Sequence, residues 1–437
     1  SGAGITGGVA EAGRIGGPRK GGQADHFAAG PSPRFRPAAI RPYKGRVSKE
    51  EPSAAQQKPA TRAFVASLKL TGFRNYASLV VAFAGRPVVL TGPNGAGKTN
   101  LIEAVSFLAP GRGLRRARLE DVPRRPGDGT FAIAARVENA AGTVDLGTGI
   151  APGAGGPEAR RAIRVNRAPA RSAEALLEHL RVLWLTPSMD GLFTGPASDR
   201  RRFLDRAVLA IDRHHGSRVA RFEKAMRGRN RLLSEPAPDG RWLDAIEAEM
   251  AEIGVAIAAA RREWLALAAG LIAATAADSP FPRAAVALDG ELEAALDGGR
   301  SAAVEDGYRA RLAEGRARDA AAGRTLSGPH ATDLLVRHGP KDVPAEACST
   351  GEQKALLVGL VLAQSRLVAG VTGETPVVLL DEIAAHLDEA RRHALFAVLL
   401  DLGCQAFMTG TDAGVFDALG PAAEHLAVSG GTVTPAG

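Results

Sequence analysis

The chain has 437 residues, 45% of them hydrophobic, which is enough for one large or two medium globular domains. Its two cysteines, Cys348 and Cys404, lack a CxxC partner, which argues against a disulfide framework or zinc site and for a reducing cytoplasm. No apolar run reaches the roughly 18 residues that span a bilayer, so no membrane partner is expected. The net charge of +8 is local: residues 1–62 carry 11 Lys and Arg against 4 Asp and Glu, a net of +7, leaving +1 for the rest.

That basic segment is rich in Gly, Pro, Ala and Arg and has no hydrophobic periodicity, so residues 1–62 are expected to be disordered. A nucleic-acid arm, a targeting peptide and an extension without a defined role all fit it. Folded structure is expected from about Phe64. Residues 63–197 then read as the first part of an α/β core. "FVASLKLTGFRNYASLVVAFAGRPVVLTG" holds two or three strands, with turns at 72–76 and at Gly85-Arg86-Pro87. Residues 88–108, "VVLTGPNGAGKTNLIEAVSFL", follow as strand, glycine-rich turn and helix. Further strands are expected in "TFAIAARVEN" and "RVLWLTP", on either side of a Gly- and Pro-rich loop at 151–157.

Residues 198–322 read as mostly helical. Leu243, Ile246, Met250, Ile253, Ile257, Ala260, Trp264, Leu267 and Leu271 recur three and four apart, the pattern of a coiled-coil seam. It predicts a helix of roughly 30 residues, about 45 Å long. Val219, Phe222, Met226 and Leu233 form the matching stripe, with a turn at 234–240. The segment is therefore expected to be a short antiparallel helical hairpin, although an ordinary bundle packed on the core has nearly the same pattern. From 323 to 437 the α/β character returns, with a helix after Ser349 and strands at Val377–Leu380 and in "AFMTGT". The fold class is α/β, a P-loop core interrupted by a helical lobe.

Gly92-Pro93-Asn94-Gly95-Ala96-Gly97-Lys98-Thr99 matches GxxxxGK[ST]. Glycines let backbone N–H groups curl around phosphates at a helix N-terminus. Lys98 is expected at the β- and γ-phosphates of ATP, Thr99 on Mg²⁺, and Asn100 follows in the same loop. "PVVLLDE" delivers two carboxylates from the end of a buried strand. Asp381 is expected on Mg²⁺ and Glu382 as the general base for water. "CSTGEQKALL" places Ser349, Thr350, Gly351, Glu352 and Gln353 at a helix start, where an anion would find a hydroxyl and free N–H groups. A plain cap, with Thr350 and Gln353 forming a capping box, is the simpler alternative.

At this spacing before Asp381, Ser349-Thr350-Gly351 resembles the signature motif of the ABC ATPase superfamily, and "AAHLDEARR" resembles its D-loop, with Asp388 in the key position. Two departures matter. Thr350 stands where that signature has glycine, and "MTGTD" offers Thr409 or Thr411 where a histidine senses the γ-phosphate, so slow hydrolysis is expected. Lys98 and Ser349 lie 251 residues apart. That insertion is longer than in transporter subunits and far shorter than the arms of SMC proteins and zinc-hook repair ATPases.

Together with "LKLTGFRNYASL", "LTPSMDGLFTGPASDRRRFLD" and "SGPHATDL", these motifs resemble the RecF family across nearly all of residues 64–425. The resemblance implies an ABC-type P-loop ATPase core with an inserted helical lobe, in a cytoplasmic replication and repair protein. It implies an ATP-dependent homodimer that clamps single-stranded and gapped or duplex DNA. With RecO and RecR as partners, such a dimer promotes RecA loading and SOS induction. It further implies weak ATPase activity, contacts from Arg74 and Asn75 to the nucleotide, and a signature acting in trans. An ATP-binding scaffold without hydrolysis and a transport ATPase subunit remain as alternatives.

Independently, residues 196–231 carry 11 Lys and Arg against 4 Asp and Glu. Arg200–Arg202, Arg218, Arg221, Lys224, Arg227, Arg229 and Arg231 are candidates to track a phosphate backbone, with Arg218, Arg221 and Lys224 leading. His330 is expected to be structural or near the nucleotide.

Overall fold

The computed structural model describes residues 60–150, 160–276 and 278–436. The basic segment up to residue 59 and the loop expected at 151–157 lie outside them. The first described strand lies slightly before the start that the hydrophobic pattern indicates. Thr61 and Arg62 form a two-residue strand, β1 (Thr61–Arg62), whose polar side chains carry no strand signature. The hairpin β2 (Phe64–Phe73) and β3 (Tyr76–Ala82) turns at 74–75, and β4 (Val88–Thr91) leads through the glycine loop into α1 (Lys98–Ser106). Next come β5 (Phe131–Asn139), β6 (Gly142–Ile150), β7 (Ala162–Val165), β8 (Ala168–Pro169) and β9 (Val182–Leu185).

The helical stretch comprises α2 (Ala197–Leu209), α3 (His215–Leu233), α4 (Gly240–Ala273), α5 (Glu291–Ala295), α6 (Ser301–Glu314) and α7 (Arg316–Ala322). One strand interrupts it, β10 (Ala284–Asp289), which pairs antiparallel with β11 (Asp333–His338) beyond the lobe. The rest of the chain contains β12 (Val343–Pro344), α8 (Thr350–Thr372), β13 (Glu374–Thr375), β14 (Val377–Leu380), α9 (Glu389–Leu402), β15 (Ala406–Gly410), β16 (Glu424–Ser429) and β17 (Thr432–Pro435). β13 pairs in parallel with β1.

Two sheets face each other. The central one runs β17-β16-β4-β15-β14-β9 and is parallel except for β17; the other, β3-β2-β5-β6-β7-β8, is antiparallel. Because side chains alternate along a strand, the central sheet feeds two cores. Val377, Leu379 and Phe407 pack with α1 and the antiparallel sheet, while Val378, Leu380 and Met408 pack with α2, α8 and α9. All parallel strands present their carboxyl ends to one edge, the place where α/β sheets bind ligands.

α4 is a single helix of 34 residues, close to the expected length, and it serves two cores. Met250, Ile253 and Ile257 meet Phe222, Ala225, Tyr308 and Leu312 inside the lobe, while Ala260, Trp264 and Ala268 join the core beneath the sheet. The seam is therefore not a two-helix coiled coil throughout. Leu267, one of its expected members, is 40% exposed. Trp264 donates from Nε1 to Gln364 Oε1 at 2.6 Å, tying α4 to α8. The lobe is thus continuous with the core.

α8 has no uninterrupted apolar run of bilayer-spanning length, since Gln364, Ser365 and Arg366 break it. Its 23 residues are long and apolar enough to cross a bilayer, and two thirds of the relevant window is buried within the fold. It is a core helix between the sheet and the lobe.

Candidate nucleotide site and basic surface

The glycine loop sits at the carboxyl end of β4. Gly92, Gly95 and Gly97 have φ of 146°, 78° and 117°, conformations that a side chain resists. A Cβ on Gly92 would lie 2.2 Å from the Val428 carbonyl oxygen, and one on Gly97 would lie 2.5 Å from Asn75 Nδ2. Pro93, Asn94 and Gly95 are exposed, whereas Ala96, Gly97 and Lys98 are buried. Lys98 Nζ donates to the carbonyls of Gly92 at 2.7 Å and Pro93 at 3.0 Å, so the ammonium is held inside the loop's own curve. Tyr76 Oη donates to Gly97 O at 3.0 Å, and burial pushes its pKa up to about 12, which keeps it a donor.

Asp381 and Glu382 follow β14, beside the loop. Thr99 Oγ1 donates to Asp381 Oδ1 at 2.9 Å, joining residues 282 positions apart. Thr409 Oγ1, wholly buried on β15, donates to the same oxygen at 2.8 Å. The Glu382 N–H in turn donates to Thr409 Oγ1 at 2.9 Å. Glu382 itself has φ 55°, a left-handed backbone unusual for a residue with a Cβ. By sequence position Thr409 is one of two threonines expected at the γ-phosphate. The structure gives it a different contact, as anchor for both acidic residues. The hydroxyl of Thr99 and the carboxylate of Asp381 form the oxygen donor set that Mg²⁺ prefers.

Asn75 and Asn100 also belong to this site. Asn75 Nδ2 donates to Ala96 O at 3.2 Å, and Asn100 Nδ2 donates to Asn75 Oδ1 at 2.7 Å. Arg74 is differently engaged. Its guanidinium donates to both oxygens of the fully buried Glu103, at 2.9 and 2.6 Å, and to the Asp121 carbonyl at 2.6 Å. Arg115 NH1 also reaches Glu103, at 2.9 Å, and Asn100 Oδ1, at 2.5 Å. Glu103 escaped the sequence reading because a glutamate within a helix is ordinarily solvent-facing.

Ser349 caps α8, and Ser349, Thr350 and Gly351 are exposed. The capping box pairs Ser349 with Glu352, rather than Thr350 with Gln353. The Gln353 amide turns inward to Cys348 O at 2.9 Å. Lys341 and the Ser349 contacts hold the Glu352 carboxyl down at about 2. Asp388 is exposed and caps α9, accepting from Arg391 N at 2.8 Å.

The basic stretch at 196–231 is mostly committed internally. Arg229 is fully buried, bound to Glu247 Oε1, Asp319 Oδ2, Thr325 Oγ1 and Leu312 O. It is a lobe cross-link and is unavailable to a phosphate. Arg200 pairs with Asp333, and Arg201 donates to Thr332 O. Arg218 is paired with Asp212 and Arg221 with Glu249. Lys224 is exposed and has no ion-pair partner among the described residues. His330 is structural: it accompanies Phe222 in a stacked pair, Nε2 contacts Thr325 O at 2.9 Å, and burial lowers its pKa.

A parallel sheet carrying a P-loop at one strand and an acidic pair at its neighbour, faced by an antiparallel sheet and broken by a helical lobe, is an ABC-type P-loop ATPase fold. Residues 64–428 match the family described as the RecF/RecN/SMC N terminal domain. The chain is 59% identical over 371 residues to the DNA replication and repair protein RecF of Mesorhizobium japonicum, covering 85% of this chain and 97% of that one. It is 57% identical over 373 residues to RecF of Rhizobium meliloti, covering 85% and 99%. The chain belongs to the RecF family of DNA replication and repair proteins. Two solved structures of the recombination mediator protein RecF in the RecFOR pathway share the fold. RecF-ATP aligns with a TM-score of 0.76 at 21% identity, and RecF-ATPrS with 0.74 at 20%. Each alignment covers 87% of this chain and all of the other.

Proposed function

We propose that this chain is an ATP-gated DNA clamp of recombinational repair and replication, working in the cytoplasm as an ATP-dependent homodimer with weak ATPase activity. The observation that carries the reading is the meeting of Thr99 and Asp381 at 2.9 Å across 282 residues of sequence. When bound, Mg·ATP supplies a polarised γ-phosphoryl group and the binding energy for dimer closure. The backbone N–H groups from Asn94 to Asn100 cradle the phosphates, with Gly92 and Pro93 shaping the entry to the loop, and Lys98 exchanges its two loop carbonyls for phosphate oxygens. Thr99 and Asp381 hold Mg²⁺, and Asn75 supports the loop at Ala96 O. Glu382 takes the proton of the attacking water as its general base.

The exposed Ser349-Thr350-Gly351 at the start of α8, with Glu352 and Gln353 behind it, covers the γ-phosphate held by the partner subunit, and Asp388 lies beside it across the dimer. Arg74 acts through Glu103 in the described conformation and reaches nucleotide only after leaving it. RecF relatives carry the description of replication and repair proteins, and the reading includes RecO and RecR as partners in RecA loading at gapped DNA. The test is DNA affinity of the full chain with Mg·ATP, with ADP and without nucleotide. Tight binding confined to the ATP state supports the clamp; equal affinity in all three states removes it.

A further inference from the structure

We propose that the DNA backbone is held by the arginine loop at 112–118 together with the adjoining face of α2, rather than by α3; this rests on the DNA-clamp reading above. "RGLRRAR" contains four arginines in seven residues. Only Arg115 is neutralised, by Glu103. Arg112, Arg116 and Arg118 are exposed, and none has an ion-pair partner among the described residues. Arg116 adopts the left-handed region with φ 56°, set by a tight turn in which its N–H donates to Gly113 O at 3.2 Å.

The loop does not stand alone. Arg116 lies near enough to Arg202 and Arg206 of α2 that its charge adds to the effect of burial in lowering their pKa, and Arg206 falls to about 10. The Arg206 guanidinium stacks over Trp184, 4.4 Å from the ring centroid, and its one hydrogen bond among the described residues is to Met189 Sδ at 3.7 Å. It has no carboxylate partner there. Arg202 keeps Asp199 as an ion-pair partner, but Arg116 and Arg206 have none among the described residues; like charges gathered this way repel one another, and an anion binding among them removes that repulsion. α3 is largely neutralised, since Arg218, Arg221 and Arg227 each pair with an acid and Arg229 is interior, which leaves Lys224 and Arg231 as its exposed cations without an ion-pair partner among the described residues.

Location favours a strand of phosphates over a single small anion. The unpaired arginines, Arg112, Arg116 and Arg118 of the loop and Arg206 of α2, are spread over more than one element, a footprint suited to successive backbone phosphates. The loop also rests against the nucleotide machinery. Arg115 donates to Asn100, Asn100 to Asn75, and Asn75 to the Ala96 carbonyl of the glycine loop. The base of the loop is pinned by Arg161, which donates to the carbonyls of Phe107, Ala109 and Gly111.

The experiment compares the full chain with a variant carrying Arg112→Glu, Arg116→Glu and Arg118→Glu, and with a second carrying Lys224→Glu and Arg231→Glu. Affinity for labelled gapped duplex DNA is measured with Mg·ATP across a salt series, and labelled ATP affinity is measured in parallel. The loop variant should bind DNA at least tenfold more weakly. Its plot of log affinity against log salt should be shallower by about 2 to 3, because roughly 0.9 counterion is released per phosphate contact. The α3 variant should stay within about twofold of wild type, and both should bind ATP normally. Unchanged DNA affinity and slope in the loop variant overturns the proposal, as does a loss of ATP affinity that accounts for the whole effect. A large loss confined to the α3 variant also overturns it. A wild-type chain that ignores DNA in every nucleotide state removes the clamp reading itself.

Discussion

Thr409 and Asp381 are joined by a hydrogen bond of 2.8 Å, and the same hydroxyl accepts the Glu382 N–H at 2.9 Å. One buried side chain thereby holds both acidic residues of the candidate hydrolytic site. Replacing Thr409 by valine keeps its shape but leaves Asp381 short of a donor and the Glu382 N–H without its acceptor. Each loss is worth about 1–3 kcal/mol. Steady-state ATP turnover should fall about 10- to 100-fold, while Mg·ATP affinity changes only a few-fold. Thr409→Ser should recover most of the turnover, since it restores the oxygen. Equal turnover in the valine variant would show that Thr409 is only packing.

Lys98 and Glu382 should separate binding from chemistry. Lys98→Met removes the cation from the glycine loop, so ATP binding or hydrolysis and ATP-stimulated DNA binding should be lost together. Glu382→Gln keeps Mg·ATP and removes the base. Its ATP-bound dimer and DNA complex should outlive those of the wild type, as read from dissociation after dilution. Identical lifetimes would assign the base to another residue.

The exposed start of α8 predicts a composite site. Ser349→Arg should bind ATP as a monomer and fail to dimerise or hydrolyse it. Mixed with Lys98→Met, it forms heterodimers with one doubly damaged site and one intact site, so some ATPase or DNA-clamping activity should return. Each variant alone is compared with the mixture at the same total concentration. Loss of ATP binding by monomeric Ser349→Arg would remove the shared-site mechanism.

Arg229 should report on stability. Its guanidinium joins Glu247 and Asp319, whose side chains are each 1% exposed. Arg229→Leu removes their common partner, leaving Glu247 with Arg316 and Asp319 with Arg318 alone, and should cost about 3 kcal/mol. A urea unfolding curve should show the lower midpoint, and Lys224→Ala on the exposed face of the same helix should show none. An Arg229→Leu protein as stable as wild type but defective in DNA binding would restore Arg229 to the nucleic-acid surface.

Local patterns determined the parts of this protein that depend on near neighbours in sequence. GPNGAGKT requires its glycines because the loop bends through left-handed backbone within a few residues. VVLLDE spells a strand buried on both faces that ends in carboxylates. The repeat from Leu243 to Leu271 specifies one long helix, because each turn of apolar residues must find cover. Tertiary structure alone decided what meets across long separations. Composition counts charges without showing which are paired, so Arg229 and Lys224 look alike in sequence although one is a buried cross-link and the other lies in solvent. Glu103 is likewise indistinguishable from a surface glutamate until Arg74 and Arg115 fold onto it from two different loops. Thr409 becomes an anchor only because β15 pairs beside β14, bringing its hydroxyl within reach of Asp381.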